Sequence, residues 1–402
     1  MNALQGLKVA DFSWVVGAPL CTKVLAEHGA TVVRVESIKR VDNIRTTPPY
    51  KDGKPGINRS GFFNSYNNNK YSMALDLSHP KGVETAKKLV TWSDIVVENF
   101  GPGTIEHLGL GYEELKKIKL DIIMLSVSML GQDGPYARQV GFGHMLQALG
   151  GFVSVLGWPD RMPVGFQIAY NDYPSALYGV LAILSALEYR KRTGKGQHID
   201  LSMFECGISF LSPAILDYVA NGRAQQADGN RCAYAAPHGA YRCLGDDRWC
   251  AIAVFSDDEW RAFGKVVGKP EWTENTKFAT LSARKANEDE LDKLTEEWTC
   301  RHKAEDVMDT MQTAGVPCGV VQNGHDLLLD PQLQHRRHFK VLQHSEMGPV
   351  HYTAPPFKLS RTPARIETPS PCLGEHTEYV CTHILGLSDA EFLQLLNEGV
   401  LA

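Results

Sequence analysis

The sequence lacks the features that mark membrane-spanning, secreted and nucleic-acid-binding proteins. Its longest nearly uncharged apolar run, residues 176–187, is too short to cross a bilayer. Residues 1–6 lack the charged, apolar and small-residue order of a signal peptide. The 46 acidic residues slightly outnumber the 41 basic ones, which gives no basic surface for nucleic acid. The nine cysteines are scattered and odd in number, as is typical of reduced thiols, so we expect a cytoplasmic protein with no membrane or nucleic-acid partner.

Common nucleotide-binding and nucleophile motifs are also missing. The turn after the first predicted strand has one glycine, Gly17, where a dinucleotide fingerprint needs three. Glu36 ends the next strand at the place of a ribose-binding acid, which alone is weak support for such a site. Neither a phosphate-binding loop nor a Gly-x-Ser-x-Gly motif occurs. His335 and His338 have the helical spacing of metal ligands, but two arginines lie between them, so we expect a solvated surface and no metal.

What the sequence does contain is a repeated alternation of strand and helix signals over its first 130 residues. Continuous apolar runs such as residues 31–35 and 121–127 are typical of strands buried on both faces, and the intervening helices indicate parallel pairing. We therefore predict an α/β fold. The large domain is expected over residues 1–220 and a smaller α+β domain over 221–325, and a C-terminal segment, 326–402, is expected to return to the large domain.

Asp172 is the most informative single residue. It begins a predicted helix over residues 172–192, and Pro174 fits the first turn of that helix. Aspartate is a favoured helix-capping residue, so a purely structural role is open. A carboxylate at a helix N-terminus is also held in its ionised form and can act as a nucleophile. The pattern alone does not choose between the two roles.

Several segments resemble the class III CoA-transferases, in order along nearly the whole chain. These segments are residues 7–36, 68–77, 96–110, 172–203 and 374–377. The most specific stretch runs from Asp172 to the Arg-x-x-Thr-Gly-x-Gly-Gln turn at residues 190–197, and Asp172 matches the catalytic aspartate of the family. The resemblance implies a Rossmann-like large domain with a smaller domain, in two subunits threaded through each other as interlocked rings.

The same resemblance implies a reaction. CoA would move from an acyl-CoA to a free carboxylic acid through aspartyl anhydride and aspartyl-CoA thioester intermediates, with Asp172 as the nucleophile. Coenzyme A would enter as part of the acyl-CoA substrate, and no metal would be needed. Family positions that line the CoA site correspond here to Val15, Lys70, Asn99, Phe100 and, in place of an arginine, His107.

Residues around the implied acyl site differ from those of formyl-CoA transferases. Val16 replaces a glutamine, Gly143 replaces an acid, and the glycine-run loop that shields oxalyl intermediates is absent. Trp14 and Phe142 add apolar surface, so we expect an acid larger and more apolar than oxalate. Within the family, the chain is most similar to the catalytic-type subunits that transfer CoA from succinyl-CoA to benzylsuccinate in anaerobic toluene degradation.

Other functions stay open beside this one. Racemases of the α-methylacyl-CoA type share the fold and pair the aspartate with a histidine whose position falls on Phe142, two residues from His144. The chain could also be a non-catalytic subunit of a hetero-oligomer, although the presence of Asp172 argues against it. An oxidoreductase is weaker still, because the glycine fingerprint is missing. The expected partners are therefore acyl-CoA, a carboxylic acid and a second subunit, identical or homologous.

Overall fold

A computed structural model describes residues 2–402 and builds them from alternating strands and helices. The β-strands are β1 (Lys8–Asp11), β2 (Thr31–Glu36), β3 (Lys70–Ala74), β4 (Ile95–Glu98), β5 (Ile123–Ser128), β6 (Gln197–Ser202), β7 (His238–Arg242), β8 (Trp249–Ala253), β9 (Cys318–Val320), β10 (Phe339–His344) and β11 (Gly348–Thr353). The α-helices are α1 (Gly17–Glu27), α2 (Gly61–Asn67), α3 (Pro80–Trp92), α4 (Thr104–His107), α5 (Tyr112–Ile118), α6 (Gly143–Leu149), α7 (Phe152–Val155), α8 (Asp172–Thr193), α9 (Met203–Ile208), α10 (Ser212–Asn221), α11 (Asp257–Val266), α12 (Leu281–Ala286), α13 (Glu288–Thr299), α14 (Ala304–Thr313), α15 (Gly324–Leu329), α16 (Pro331–Arg336), α17 (Thr377–Tyr379) and α18 (Asp389–Asn397).

These elements divide into two units. Unit 1 comprises residues 2–154, 164–225 and 332–402, and unit 2 comprises residues 155–163 and 226–331. Unit 2 therefore adds a short segment before α8 to the region that the sequence assigns to the smaller domain, and it ends a few residues later. The domain division itself stays a prediction.

Unit 1 is built on a six-stranded sheet in the order β3-β2-β1-β4-β5-β6. Every neighbouring pair in it is parallel. The predicted α/β fold with a parallel sheet is thus confirmed. The strand order reverses between β1 and β4, and open parallel sheets bind ligands at the carboxyl edge beside such a reversal.

Helices cover both faces of this sheet, and the period-2 alternation of a strand sends successive side chains to opposite sides. Val9 packs with α1 and α8, whereas Ala10 packs with α3 and α5. Helices α1 and α8 approach closely at Gly179, where an added Cβ would lie 3.2 Å from Cys21 Sγ. This close packing brings the N-termini of α1 and α8 to the same edge of the sheet.

The last residues of the chain belong to the same core. Val380 and Leu401 pack with the α3 and α5 face of the sheet. The amide of Asp76 donates to the carbonyl of Val400 at 2.8 Å, which ties this segment to the end of β3. The segment therefore completes one face of the parallel sheet.

Unit 2 contains a three-stranded antiparallel sheet in the order β7-β8-β9. Helices α11, α13 and α14 supply the core that packs with it, including Trp260 and Leu291. A capping box at Ser256 starts α11: the Ser256 hydroxyl accepts from the Glu259 amide, and the Glu259 carboxylate accepts from the Ser256 amide. The sequence did not predict β7.

Two segments were not anticipated in the sequence analysis. The tail forms an antiparallel hairpin of β10 and β11. The apolar stretch after β6 is divided into α9, a short 3-10 turn and α10. By length and composition alone this stretch, Met203–Asn221, is long and apolar enough to cross a membrane, which by itself is weak evidence for a membrane span.

Candidate active site

A cleft of about 930 Å³ lies in unit 1 at the carboxyl edge of the parallel sheet. The segments that follow β1, β4 and β5 line it, together with α6 and the first turn of α8. The cleft thus lies beside β1 and β4, the two neighbouring strands between which the strand order reverses. The cleft therefore lies where an open α/β sheet is expected to bind a ligand.

Asp172 reaches this cleft from the first position of α8. Its side chain is buried, and Oδ1 accepts a hydrogen bond of 3.2 Å from the amide of Gly17, the first residue of α1. The N-cap of α8 is Asn171, and no side chain caps this helix end. The carboxylate of Asp172 therefore bonds to the first residue of another helix, and the N-cap position of its own helix is occupied by Asn171.

Burial dominates the ionisation of this carboxyl group. It raises the pKa of Asp172 to about 6, and the hydrogen bond from the Gly17 amide opposes that rise. The sequence led us to expect that the helix N-terminus would set the ionisation, but desolvation outweighs it. The group is still mostly ionised at neutral pH, and it is poorly hydrated.

Gly143 makes room for the second oxygen of this carboxylate. A Cβ added at position 143 would lie 2.7 Å from Asp172 Oδ2 and 2.4 Å from Ala169 Cβ. No side chain fits there without moving the carboxylate. The sequence interpretation treated Gly143 only as the loss of a charge, whereas the structure gives it a steric role.

The structure brings most of the predicted site residues together. Those that line the cleft are Val15, Val16, Asn99, Phe100, Phe142 and Asp172. Trp14, Lys70 and His107 are not among the lining residues. The ring of Trp14 lies 6.1 Å from the Phe100 ring and 5.6 Å from the Arg40 guanidinium, outside the lining. His107 is exposed in the last turn of α4.

Lys70 differs most from its predicted role. Its ammonium group is buried and donates to Asp11 Oδ2 at 3.1 Å, to Asn67 Oδ1 at 2.9 Å and to the Pro19 carbonyl at 2.9 Å. Burial lowers the pKa of Lys70 to about 8, against the attraction of Asp11. An ammonium group has three donors, and all three are used within the protein. Lys70 is thus an internal ion-pair residue in this structure rather than a phosphate ligand.

The acid at the end of β2 is also engaged. Glu36 accepts two hydrogen bonds from the Arg45 guanidinium, at 2.8 and 2.7 Å, and one from the Ser72 hydroxyl at 3.1 Å. Although burial opposes ionisation, Arg34 and Arg45 lower the pKa of Glu36 to about 2. A carboxylate held in this way is not free to bind ribose hydroxyls, which agrees with the missing glycine fingerprint.

Two polar residues at this edge were missed by the sequence analysis. Ser128 ends β5, lines the cleft and is buried with no hydrogen-bond partner for its hydroxyl. Glu98 ends β4 and accepts from the Phe100 amide at 2.8 Å. Burial raises the pKa of Glu98 to about 7. In the sequence, only the position of these two residues could have indicated a role at the site, because both are polar residues at the carboxyl ends of buried strands.

The two histidines considered as metal ligands do not share a helix. Helix α16 ends at Arg336, after His335 and before His338. Across residues 2–402, no group of three or more His, Cys, Asp and Glu side chains is arranged to hold a metal ion.

Comparison with known proteins identifies the family of this chain. The model of the CoA-transferase family III matches residues 4–377. The succinyl-CoA–D-citramalate CoA-transferase of Chloroflexus aurantiacus is 31% identical over 99% of this chain and 98% of that protein. The β subunit of the succinyl-CoA–L-malate CoA-transferase of the same organism is 31% identical, with the same coverage. A CAIB/BAIF family protein from Brucella suis has a TM-score of 0.88 at 32% identity, covering 96% of this chain and 100% of that one. The chain therefore belongs to the CoA-transferase family III and is a CoA-transferase.

Proposed function

We propose that this enzyme transfers CoA from succinyl-CoA to a dicarboxylic acid, with Asp172 as the covalent nucleophile. The observation that carries the proposal is the Asp172 carboxylate, buried at the cleft with Oδ1 held by the Gly17 amide. A carboxylate that has lost its hydration shell before the reaction is better prepared to attack a thioester than one in water. Succinyl-CoA is chosen because relatives that match nearly the whole chain are named for it.

The proposed chemistry needs no cofactor beyond CoA itself. The Asp172 carboxylate attacks the succinyl carbonyl, the C–S bond breaks, and CoA leaves as the thiolate from a succinyl-aspartyl anhydride. The thiolate then attacks the aspartyl carbonyl, which releases succinate and leaves an aspartyl-CoA thioester. The acceptor carboxylate attacks this thioester and forms a second anhydride, and the thiolate finally attacks the acceptor carbonyl. Acceptor acyl-CoA is released and the Asp172 carboxylate is restored.

We also propose which class of carboxylic acid accepts CoA. Relatives named for citramalate and malate support a dicarboxylic acid of four or five carbons. An aryl-substituted acid such as benzylsuccinate is supported by the apolar lining from Val16, Phe100 and Phe142. Trp14 no longer supports it, because its ring lies against Phe100 and Arg40. Burial of an aryl ring in the cleft would contribute about 2–3 kcal/mol.

We further propose that two copies, or this chain and a homologue, interlock as a dimer of large and small domains. Support comes from apolar helix faces of unit 1 that remain uncovered. Leu177 and Leu181 of α8 are 63% and 59% exposed, and Leu216 and Val219 of α10 are 65% and 76% exposed. Patches of this kind mark interaction surfaces. One relative is named as the β subunit of its enzyme, and this supports including a heteromer of this chain with a homologous chain in the proposal.

The racemase alternative has one observation in its favour. His144 lines the same cleft as Asp172, so a base and an acid are both present there. A racemase would exchange the α-hydrogen of a 2-methylacyl-CoA with solvent, and a transferase would not. Incubation in D₂O followed by mass spectrometry of the thioester separates the two activities.

The covalent role of Asp172 is tested by an oxygen label. In the proposed series of reaction steps, the bridging oxygen of the second anhydride comes from the acceptor carboxylate and stays on Asp172. One turnover with an ¹⁸O-carboxylate-labelled acceptor should therefore add 2 Da to the peptide that contains Asp172. Direct attack of the acceptor on succinyl-CoA would leave this peptide unlabelled and would contradict the proposal.

The acceptor is tested in the same assay. Rates with succinyl-CoA are compared for benzylsuccinate, citramalate, malate and glutarate, with and without candidate homologous subunits. Phe142→Ala should lower kcat/KM for benzylsuccinate by about 10- to 100-fold and change the value for malate little, since only the aryl acid uses that surface. An equal loss for both acids would rule out a contact between Phe142 and the aryl ring.

A further inference from the structure

The turn between β1 and α1 holds a β-branched residue in a conformation that such residues rarely adopt. Val15 has a φ of +66°, in the left-handed region. For a residue other than glycine this conformation is unfavourable, and it persists only where surrounding contacts enforce it. Val15 lines the cleft, and Gly17, two residues later, donates to Asp172. The strained residue thus lies two residues before the amide that donates to the proposed nucleophile.

Two side chains from other parts of unit 1 hold this turn. The Val15 amide donates to both carboxylate oxygens of Asp42, at 3.1 and 3.3 Å. The Trp14 amide donates to Asn99 Oδ1 at 2.7 Å, and Asn99 Nδ2 donates to the Trp14 carbonyl at 2.8 Å. The direction in which the chain enters α1 is fixed by these contacts.

Asp42 is itself immobilised. It is buried, forms an ion pair with the equally buried Arg34, and accepts the Ile44 amide at 3.2 Å. Arg34 in turn lies 3.5 Å from Glu36, so the carboxylate is part of a network of buried charges. Buried charges with several partners cannot rotate without losing strong interactions. Asp42 is not among the residues that line the cleft, so it acts on the site through Val15.

We infer that Asp42 is a positioning residue for CoA transfer. It holds Val15 in the left-handed conformation and thereby directs the Gly17 amide at the Asp172 carboxylate. This inference rests on the proposed role of Asp172 as the nucleophile. The effect on rate can be large, because a displacement of about 1 Å at reacting groups can cost about 100-fold.

A double-mutant cycle tests this role. Asp42→Ala is measured alone and combined with Val15→Gly, because glycine adopts a positive φ without strain and no longer needs enforcement. In the wild-type background Asp42→Ala should lower kcat by about 100-fold, with KM for succinyl-CoA changed by less than about threefold. In the Val15→Gly background the same substitution should cost less than about fivefold. Equal losses in the two backgrounds, or no loss in the wild type, would overturn the inference.

A more conservative variant, Asp42→Asn, provides the test if Asp42→Ala does not fold. Asp42→Asn keeps an oxygen that can accept the Val15 amide, so it should retain more activity than Asp42→Ala. If circular dichroism melts show that Asp42→Ala does not fold, the cycle is run with Asp42→Asn, expecting a loss of about tenfold that Val15→Gly reduces to about twofold. Equal losses again overturn the role of Asp42.

The proposed nucleophile is checked separately in the same assay. If Asp172→Ala retains transfer activity, the proposed function fails, whatever the cycle shows. If Asp172→Ala is inactive and the cycle shows no coupling between Asp42 and Val15, only the positioning role fails.

Discussion

Asp172 and Gly17 are 155 residues apart in the chain, yet the carboxylate of one accepts the amide of the other at 3.2 Å. Each is the first residue of its helix, so the contact joins the N-termini of α1 and α8. The hydrogen bond from the Gly17 amide favours the anion, whereas burial disfavours it. The balance leaves a carboxylate that is ionised at neutral pH and scarcely hydrated, which suits a nucleophile.

Replacing the carboxylate should separate activity from stability. Asp172→Asn keeps an oxygen for the Gly17 amide but is a poor nucleophile, so we expect transfer to fall by at least about 1,000-fold. A pKa of about 6 in the folded protein, against an ordinary 3.8, corresponds to roughly 3 kcal/mol of destabilisation at neutral pH. The variant should therefore unfold in urea at the same or a higher concentration than the wild type. A destabilised variant would show that the carboxylate supports the fold instead.

The pH dependence should report the same group. Because the ionised form of Asp172 is the nucleophile, kcat/KM for succinyl-CoA should fall tenfold per pH unit below about pH 6. Burial raises the pKa of Glu98 to about 7, so Glu98→Gln serves as the control. The acidic limb should be unchanged in Glu98→Gln. A limb that disappears in this variant would assign the titration to Glu98.

The same pKa shift predicts how stability varies with pH. The folded-state pKa of Asp172 lies above its unfolded value, so its ionisation is less favourable in the folded state. The free energy of unfolding contributed by this group should decrease as the pH rises from about 4 to about 6. Subtracting the urea-unfolding curve of Asp172→Asn from that of the wild type isolates this contribution, and a difference that stays flat across this interval would contradict the raised pKa.

Gly143 should tolerate no side chain. In Gly143→Ala the new Cβ would meet Asp172 Oδ2 at 2.7 Å, so the carboxylate must move away from the cleft. We expect a loss of about 100-fold in kcat, with the protein folded. Gly324→Ala is the matched control, because nothing lies within 4 Å of its added Cβ. Wild-type kinetics for Gly143→Ala would show that the site can adjust to a side chain at this position.

Lys70 should matter for folding rather than for substrate affinity. Lys70→Met removes the partner of the buried Asp11 carboxylate, and loss of one member of a buried ion pair costs about 3–5 kcal/mol. Urea unfolding should show this loss, whereas Lys293→Met at an exposed position should change stability by less than about 0.5 kcal/mol. A stable Lys70→Met enzyme with a raised KM for succinyl-CoA would instead support a phosphate contact.

Features governed by local chemistry were predicted closely from the sequence. Helix α3 begins at Pro80, and proline at the first helical position is a signal that the sequence itself contains. Helix α8 begins at Asp172 as predicted, and Gly194 ends it in the left-handed conformation. The β10–β11 hairpin was missed, since its residues mix charge, histidine and proline without clear alternation. Its pairing depends on contacts that no local pattern contains.

The site residues also fall into two groups: those whose place follows from the local sequence, and those whose place depends on contacts between segments far apart in the chain. Asn99 and Phe100 follow a parallel strand, and that position places them at the cleft. Lys70 was assigned to the CoA site by the family resemblance, and its side chain instead meets Asp11, a carboxylate 59 residues away that no spacing reveals. The room that Gly143 leaves for Asp172 likewise depends on how two distant segments meet. Family resemblance identified Asp172, and only the folded chain shows what holds it.

The segment around Val380 and Leu401 completes a core that β1 to β5 begin. A ribosome therefore delivers β1 to β5, with α3 and α5, long before the last residues that pack on the same face of the sheet. The gap is roughly 250 residues, or about 10–50 s of synthesis at about 5–20 residues per second. During that interval the nascent chain carries an apolar sheet face that α3 and α5 cover only in part, and the exposed remainder is open to aggregation. Cellular yield of this enzyme should therefore depend on chaperone supply and translation speed more than on the stability of the finished fold.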